Sequence, residues 1–396
     1  MRMARQPGQA WRRKPALWGL LVALLWLSLG AAPGAWAADS PPQDQGPYLI
    51  HVVQAGETLS EIAAAYGVAV DVLTTLNGLE NPNRVVVGQK LRIPVTRRLV
   101  GTSPLPSPLV LVHAVPLPVA QGSTLSIRAV TDTPAHLRGW LGEQEFSFFQ
   151  APDGYWGLAA IHPLATPGCH PLTLEVLSEG ETGKGWSACV WVGVGDFGTQ
   201  RIPLSPEMGG ILANQGAVQA EASRIRELYA QVSGPPLWRG PFRWPLEGPL
   251  KITAPFGDRR AYGDGPPSSF HEGLDLDAPE GTEVRAPAIG RVVLAEKLWV
   301  RGNAVVVDHG QGVFTGYWHL AEVEVSAGQL VWPGRVLGRV GNTGLSTGAH
   351  LHWELRVNGV PVDPAQWVTG QVASWPTWPS AMGRAVLRRP GARIPP

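Results

Sequence analysis

His350-Leu351-His352-Trp353-Glu354-Leu355 alternates strictly, and that alternation decides how the C-terminal third of the chain is read. With a strand period of two, His350, His352 and Glu354 share one face, while Leu351, Trp353 and Leu355 share the other. One face builds core and the other presents imidazoles about 7 Å apart. One histidine can therefore bind a metal while its neighbour stands beside a reacting water, and Glu354 reads as a supporting residue. Upstream, His271-Glu272-Gly273-Leu274-Asp275 pairs an imidazole with a carboxylate four residues on. On a straight strand their Cα atoms would lie about 13 Å apart, near the limit for sharing one ion. Gly273 permits a bend there and leaves no side chain in the way. The expectation is His271 in an entering loop, Asp275 on a strand, and Leu274 and Leu276 facing the core. His319 follows Tyr317-Trp318, and neutral imidazoles with a carboxylate are suitable zinc donors.

Each fragment alone arises easily by chance, but their joint order among glycines is specific. Phe256-Gly257-Asp258-Arg259, His271 to Leu276, Gly302-Asn303-Ala304-Val305-Val306-Val307-Asp308-His309-Gly310, Tyr317-Trp318-His319-Leu320 and Gly341 to Glu354 carry a resemblance to the lysostaphin/LytM-type zinc endopeptidases. It covers nearly all of 238–370. It implies one Zn2+ bound by His271, Asp275 and His352, with His319 and His350 as a catalytic pair, acting on peptide cross-links of peptidoglycan. Trp318 and Ala349 depart from the pattern; Trp318 is expected to narrow the groove. His309 falls in a turn and reads as structural. The resemblance leaves open which cross-link bond is cut. It also admits a non-catalytic LytM-like activator of another wall hydrolase, but such regulators lack metal-site residues and all five are present here.

Residues 48–94 form a second unit. Tyr48 to Val53 alternates like a strand, and Thr58 is a candidate N-cap for a helix with Ile62, Ala65 and Tyr66 on its apolar face. Gly67 ends that helix. Val72, Leu73 and Leu76 open a second one, stopped by Asn77-Gly78, and Val85 to Pro94 closes the unit. His51 to Leu59, Leu76 to Leu79 and Val87 to Pro94 resemble the LysM module. The resemblance implies a βααβ fold holding N-acetylglucosamine-containing glycan, with Gly56, Glu57, Thr58, Leu59, Asn77, Gly78 and Leu79 at the groove.

The rest of the 396 residues frames these two units. Arg2, Arg5, Arg12, Arg13 and Lys14 precede an apolar run from Ala16 to Leu29, and Ala35-Trp36-Ala37 fits a cleavage site. The expectation is a signal peptide over 1–37, cleaved after Ala37, and a protein secreted to the periplasm or cell wall; an uncleaved anchor is the alternative. Losing five positive charges takes the formal net charge from +1 to −4. No basic stripe for nucleic acid remains, so the expected partner is peptidoglycan, its glycan on LysM and its stem or cross-bridge peptide in the catalytic groove. Cys169 and Cys189 fit a disulfide, the alternative being two separate buried thiols. A Pro-rich linker is expected over 95–119, an immunoglobulin-like antiparallel β-sandwich over 120–200, and a linker helix within 205–234 from the spacing of Ile211, Val218, Ala222, Ile225, Tyr229 and Val232. His113, His136, His162 and His170 have no metal-type spacing. Residues 371–396 read as a tail. The fold class expected is a mainly β multidomain protein ending in an antiparallel β peptidase domain. Sequence leaves open whether the sandwich or the linker helix covers the groove; cover would make a 238–396 fragment more active than the mature chain.

Overall fold

The computed structural model describes residues 48–53, 55–66, 68–94, 99, 101, 103–177, 184–231, 234–370 and 372. The expected signal peptide and, Val372 apart, the expected tail lie outside the described residues, as do Gly67, Val232 and the side chains of Ala65 and Tyr66.

β1 (Tyr48–Val52), α1 (Leu59–Tyr66), α2 (Val70–Leu76) and β2 (Lys90–Pro94) build the βααβ module. β1 and β2 pair antiparallel with Tyr48 opposite Pro94. Thr58 caps α1 reciprocally with Glu61: the Glu61 N–H donates to Thr58 Oγ1 at 3.2 Å, and the Thr58 N–H to Glu61 Oε2 at 2.9 Å. Leu59, Ile62, Leu73, Leu91 and Ile93 close the small core.

Eight strands follow: β3 (Leu109–Val115), β4 (Val119–Ala120), β5 (Thr124–Thr131), β6 (His136–Leu141), β7 (Gln144–Ala151), β8 (Gly154–Ala160), β9 (Gly168–Leu177) and β10 (Lys184–Gly193). Their order is β3-β5-β8-β7-β6-β9-β10-β4. β7 pairs with β6 through its first half and with β8 through its second, so it carries the path from one arm to the other. Leu125 and Ile127 of one arm share a core with Leu172, Leu174 and Val190 of the other. The Pro-rich stretch runs into the strand Leu109–Val115, whose apolar, β-branched residues outweigh the flanking prolines. One pairing differs from the antiparallel sandwich expected. The short β4 pairs with β10 in parallel. A disulfide joins Cys169 and Cys189 on the adjacent strands β9 and β10.

β11 (Thr199–Ile202), α3 (Pro206–Ala213) and α4 (Gln215–Tyr229) connect to the C-terminal unit. The single helix expected from spacing is two. Asn214 ends α3 and caps α4, its Oδ1 accepting from the Ala217 N–H at 3.2 Å. A side chain that serves the backbone this way breaks a helix as readily as it starts one.

The C-terminal unit comprises β12 (Ile252–Ala254), β13 (Arg259–Tyr262), β14 (Ser269–Phe270), β15 (Gly273–Leu276), β16 (Glu283–Arg285), β17 (Gly290–Lys297), β18 (Asn303–Asp308), β19 (Val313–Leu320), β20 (Glu322–Val323), β21 (Leu330–Val331), β22 (Val336–Arg339), β23 (Leu351–Val357), β24 (Val360–Val362) and α5 (Ala365–Val368). Its main sheet runs β12-β15-β23-β19-β18-β17-β21, with β24 on β23. Leu274, Leu276, Val305, Val307, Tyr317, Leu351 and Trp353 fill one side. By strand parity Asp275, His352 and Glu354 face the other side, where Ile225 and Tyr229 of α4 pack on Ala304, Val306, Phe314 and Trp318. Burying those two helix side chains contributes roughly 1.5–3 kcal/mol each.

Candidate metal centre and groove

Strand pairing assembles the centre. Asp275 on β15 is the register partner of His352 on β23, and Asp275 Oδ1 lies 2.7 Å from His352 Nδ1. His271 enters from the loop before β15, where its N–H donates to the Asp258 carbonyl at 2.8 Å and its own carbonyl accepts from the Gly257 N–H. Its Nε2 lies 2.9 Å from Asp275 Oδ1 and 3.0 Å from His352 Nδ1. Gly273 makes the approach possible, for a Cβ there would sit 2.4 Å from the Trp353 carbonyl oxygen and 2.9 Å from His352 Nε2.

The outer hydrogen bonds choose which nitrogen faces inward. His271 Nδ1–H donates to the Pro255 carbonyl at 2.8 Å, and His352 Nε2–H to Glu354 Oε1 at 3.3 Å. Those roles leave His271 Nε2 and His352 Nδ1 as lone pairs converging with Asp275 Oδ1, the three ligand atoms lying within 4.8 Å of one another. This donor set suits one zinc ion. Burial pushes the His271 pKa down. For His352 burial acts the same way, but the negative charges of Asp275 and Glu354 outweigh it and raise the pKa. Burial would raise the Asp275 pKa, yet the neighbouring imidazoles of His271 and His352 hold it well below the usual carboxylate range.

His319 and His350 stand beside this cluster, their ring centroids 5.2 Å apart. His319 Nδ1–H donates to the Thr343 carbonyl at 2.7 Å, and His350 Nδ1–H to the Gly348 carbonyl at 2.8 Å. Each ring is thereby fixed with its Nε2 as the remaining acceptor. His319 adopts φ 63°, a left-handed conformation that non-glycine residues hold only when the surroundings impose it. Burial and the neighbouring His352 and His350 push its pKa down to about 3, so it is neutral near pH 7.

Asp275, His319, His350 and His352 open into a cleft. Its other walls are Arg260 and Tyr262 of β13, the Leu345–Thr347 loop, and Gln200, Ile202 and Met208 from β11 and α3. Trp318 does not narrow it as expected. The indole is 1 % exposed beneath α4, with Arg301 stacked 5.2 Å from its ring, because Trp318 has the parity of Phe314 and faces the helix. His309 is buried in the turn, bonded to the Ile289 carbonyl and to Thr315. His113 and His136 are exposed, and His170 bonds the Thr166 carbonyl. His162, by contrast, stacks edge-on against Phe270 at 5.4 Å, at the junction with the sandwich.

Two supporting groups, Arg260 and Tyr229, escaped the sequence reading. Arg260 holds the second oxygen of Asp275, Nη2 to Oδ2 at 2.8 Å. Glu354 accepts from the Tyr229 hydroxyl at 3.3 Å and from Arg356 Nε at 3.3 Å, which ties α4 to the histidine it orients. Neither has a sequence signature, since the Glu354 partner lies 125 residues upstream.

In the βααβ module, Gly56 and Thr58 are exposed and Glu57 is half-buried. Leu59 is 1 % exposed and belongs to the core. The Asn77 amide is committed to the backbone, accepting from the Arg92 N–H and donating to the Arg92 and Leu73 carbonyls. Gly78 is exposed with φ 60°, and Leu79 packs against the core. The neighbouring Val86 and Val87, 65 % and 67 % exposed, were not singled out from sequence.

The sheet, groove and three-donor cluster are those of a metallopeptidase domain. Residues 269–364 match the model of Peptidase family M23, and residues 51–94 match the LysM domain, so the chain joins a LysM module to an M23-type peptidase domain. The chain is similar to the DD-carboxypeptidase/endopeptidase Mpg of Neisseria meningitidis, 44 % identical over 29 % of this chain and 26 % of that protein. It is similar to the peptidoglycan DD-endopeptidase ShyA of Vibrio cholerae, at 38 % over 34 % of this chain and 31 % of that one. It is also similar to the murein hydrolase activator EnvC of Escherichia coli, at 33 % over 39 % and 35 %. The chain thus spans about a third or less of the length of these relatives.

Proposed function

We propose that this chain is an exported endopeptidase that cuts peptide cross-links in peptidoglycan, with His271, Asp275 and His352 holding one Zn2+ and His319 and His350 as the catalytic pair. The convergence of His271 Nε2, Asp275 Oδ1 and His352 Nδ1 beside two imidazoles fixed through Nδ1 carries this reading. A bound zinc ion supplies Lewis acidity at the scissile carbonyl and makes water a nucleophile near neutral pH. The protein's own residues then manage protons. One of His319 and His350 accepts the proton of the attacking water on Nε2, and that imidazolium then supplies the proton the leaving amine needs. Backbone carbonyls hold both rings in place, so neither must reorganise. The LysM loops Gly56–Leu59 and Asn77–Leu79 bind the glycan strand: Gly56, Glu57 and Thr58 face it, while Leu59 and Asn77 set the loop shape. The segment 1–37 directs export, with cleavage after Ala37.

The test is mass spectrometry of purified peptidoglycan digested by the mature protein, with His350→Ala alongside. New free amines at cross-links, absent in the variant and after chelation, are expected and name the bond cut. Similarity to a hydrolase activator favours a second reading, in which the domain stimulates another wall enzyme. A stoichiometric zinc load with no cleavage would select it.

A further inference from the structure

Arg260 and Gln200 both lie outside the M23-matched segment 269–364, yet they complete a chain of contacts to a ligand inside it. Gln200 on β11 is the register partner of Arg260 on β13. Its Oε1 accepts from Arg260 Nε at 3.2 Å, and Arg260 Nη2 donates to Asp275 Oδ2 at 2.8 Å. The pair is largely enclosed, with side-chain exposures of 16 % for Arg260 and 12 % for Asp275. β11 is firmly seated: Arg259 N–H donates to the Gly198 carbonyl, Gly263 N–H to the Ile202 carbonyl, and Gly198 N–H to Asp258 Oδ1 at 2.7 Å.

We propose that Arg260, braced by Gln200, is a positioning residue for the metal centre, holding the outer oxygen of Asp275 so that the carboxylate offers the ion Oδ1 alone. The inference rests on the zinc reading above. A carboxylate has two equivalent oxygens and turns easily about its last bond. Here Oδ1 faces His271 and His352, and a charge-assisted bond occupies Oδ2. The planar guanidinium suits the task because a second nitrogen can be fixed at the same time, which an ammonium cannot reproduce. The strand leaving the sandwich is therefore part of the metal centre rather than a spacer.

Charge and orientation predict opposite signs, which makes the idea testable. A guanidinium acting only as a positive charge repels a divalent cation, so its removal would tighten binding. A positioning guanidinium strengthens binding, and its loss is expected to weaken zinc affinity by roughly 10- to 100-fold. The measurement is zinc affinity of the full mature chain by competition with a chromophoric chelator, for wild type, Arg260→Met, Arg260→Lys and Gln200→Ala. Arg260→Lys should weaken binding although it keeps the charge, and Gln200→Ala should weaken it less than Arg260→Met. The visible spectrum of the cobalt(II)-loaded proteins adds a structural readout, since four-coordinate cobalt absorbs more intensely than cobalt of higher coordination. Arg260→Met should lose intensity as Asp275 swings to offer both oxygens. Unchanged or tighter binding in all three variants, with an unchanged spectrum, overturns the proposal. Should Arg260→Met fail to fold, Gln200→Ala and Arg260→Lys decide alone. A wild-type chain that takes up no zinc refutes the metal reading itself, a separate failure.

Discussion

At the scale of single residues, the centre depends on groups whose substitution separates binding from chemistry. His352→Ala removes a ligand and should abolish zinc uptake, read as metal content after dialysis. His319→Ala and His350→Ala should keep their zinc and lose cleavage by roughly 10²- to 10⁴-fold, the range for positioned proton transfer. Gly273→Ala places a methyl group against the Trp353 carbonyl. That backbone cannot yield without breaking the Asp275–His352 register, so a loss of about 1–3 kcal/mol in urea unfolding is expected together with weaker metal binding. His309 provides the pH test. Burial lowers its pKa from 6.5 to about 4, so between those values the unfolded chain binds a proton that the folded one refuses. Its contribution is complete above pH 6.5 and is lost as pH falls toward 4, by about 3 kcal/mol in all. His309→Gln should start less stable at pH 7 but show a shallower decline of urea midpoint below pH 6.5; parallel curves would assign the titration elsewhere. Strand period grouped His350 with His352, and Gly273 made room between His271 and Asp275, but the family resemblance rather than spacing picked His271, Asp275 and His352 as the ligand set. Arg260 and Tyr229 were not legible, since strand order and helix docking set their roles rather than local spacing.

At the scale of elements, α4 bears on the question of groove cover that sequence leaves open. The spacing of Ile225 and Tyr229 correctly marks an apolar stripe, and both are buried. That stripe covers Phe314 and Trp318, and Glu221 at its N-terminal side binds the Val300 and Arg301 N–H groups and the Arg301 guanidinium. The helix sits beside the metal centre rather than across the cleft, whose walls instead include β11 and α3. A 238–396 fragment lacks α4 and exposes the Phe314–Trp318 face. It should be less stable than the mature chain and no more active, contrary to what covering by the linker helix would give. Tyr229→Phe tests the polar link alone. Losing the hydroxyl that donates to Glu354 should cost about 1 kcal/mol and loosen zinc binding slightly, because Glu354 orients His352. If the fragment proves stable and hyperactive, the helix is a dispensable cover after all.

At the scale of the whole molecule, sequence divides the chain at Pro-rich stretches, but packing does not respect the division between sandwich and peptidase. Phe149, Trp156 and Leu158 of the sandwich share one apolar cluster with Trp238, Phe242, Leu355, Val357 and Trp367 of the C-terminal unit. Directed bonds cross the same boundary: Gln311 Nε2 donates to the Ser147 carbonyl at 2.7 Å, Asn358 Nδ2 to the Leu158 carbonyl at 2.8 Å, and Trp367 Nε1 to Thr124 Oγ1 at 3.1 Å. Composition cannot reveal such a junction, because a strand that buries its second face against a neighbouring domain reads like any other half-apolar strand. The consequence is thermodynamic. Units that share a core lose apolar contacts together, so the sandwich and the peptidase should unfold in one calorimetric transition. On the proposed zinc reading, an ion that binds only the folded centre raises that transition by mass action. Chelation should therefore lower the temperature at which the sandwich itself melts, although the centre lies in another unit. Amide hydrogen exchange of the sandwich-core strands β9 and β10, followed with temperature, would report it. Trp156→Ala should split the transition, leaving a sandwich phase that no longer responds to chelator. A wild-type sandwich that melts at an unchanged temperature with and without metal would mean that the junction transmits nothing, and that the strand leaving the sandwich reaches the metal centre only as a tether.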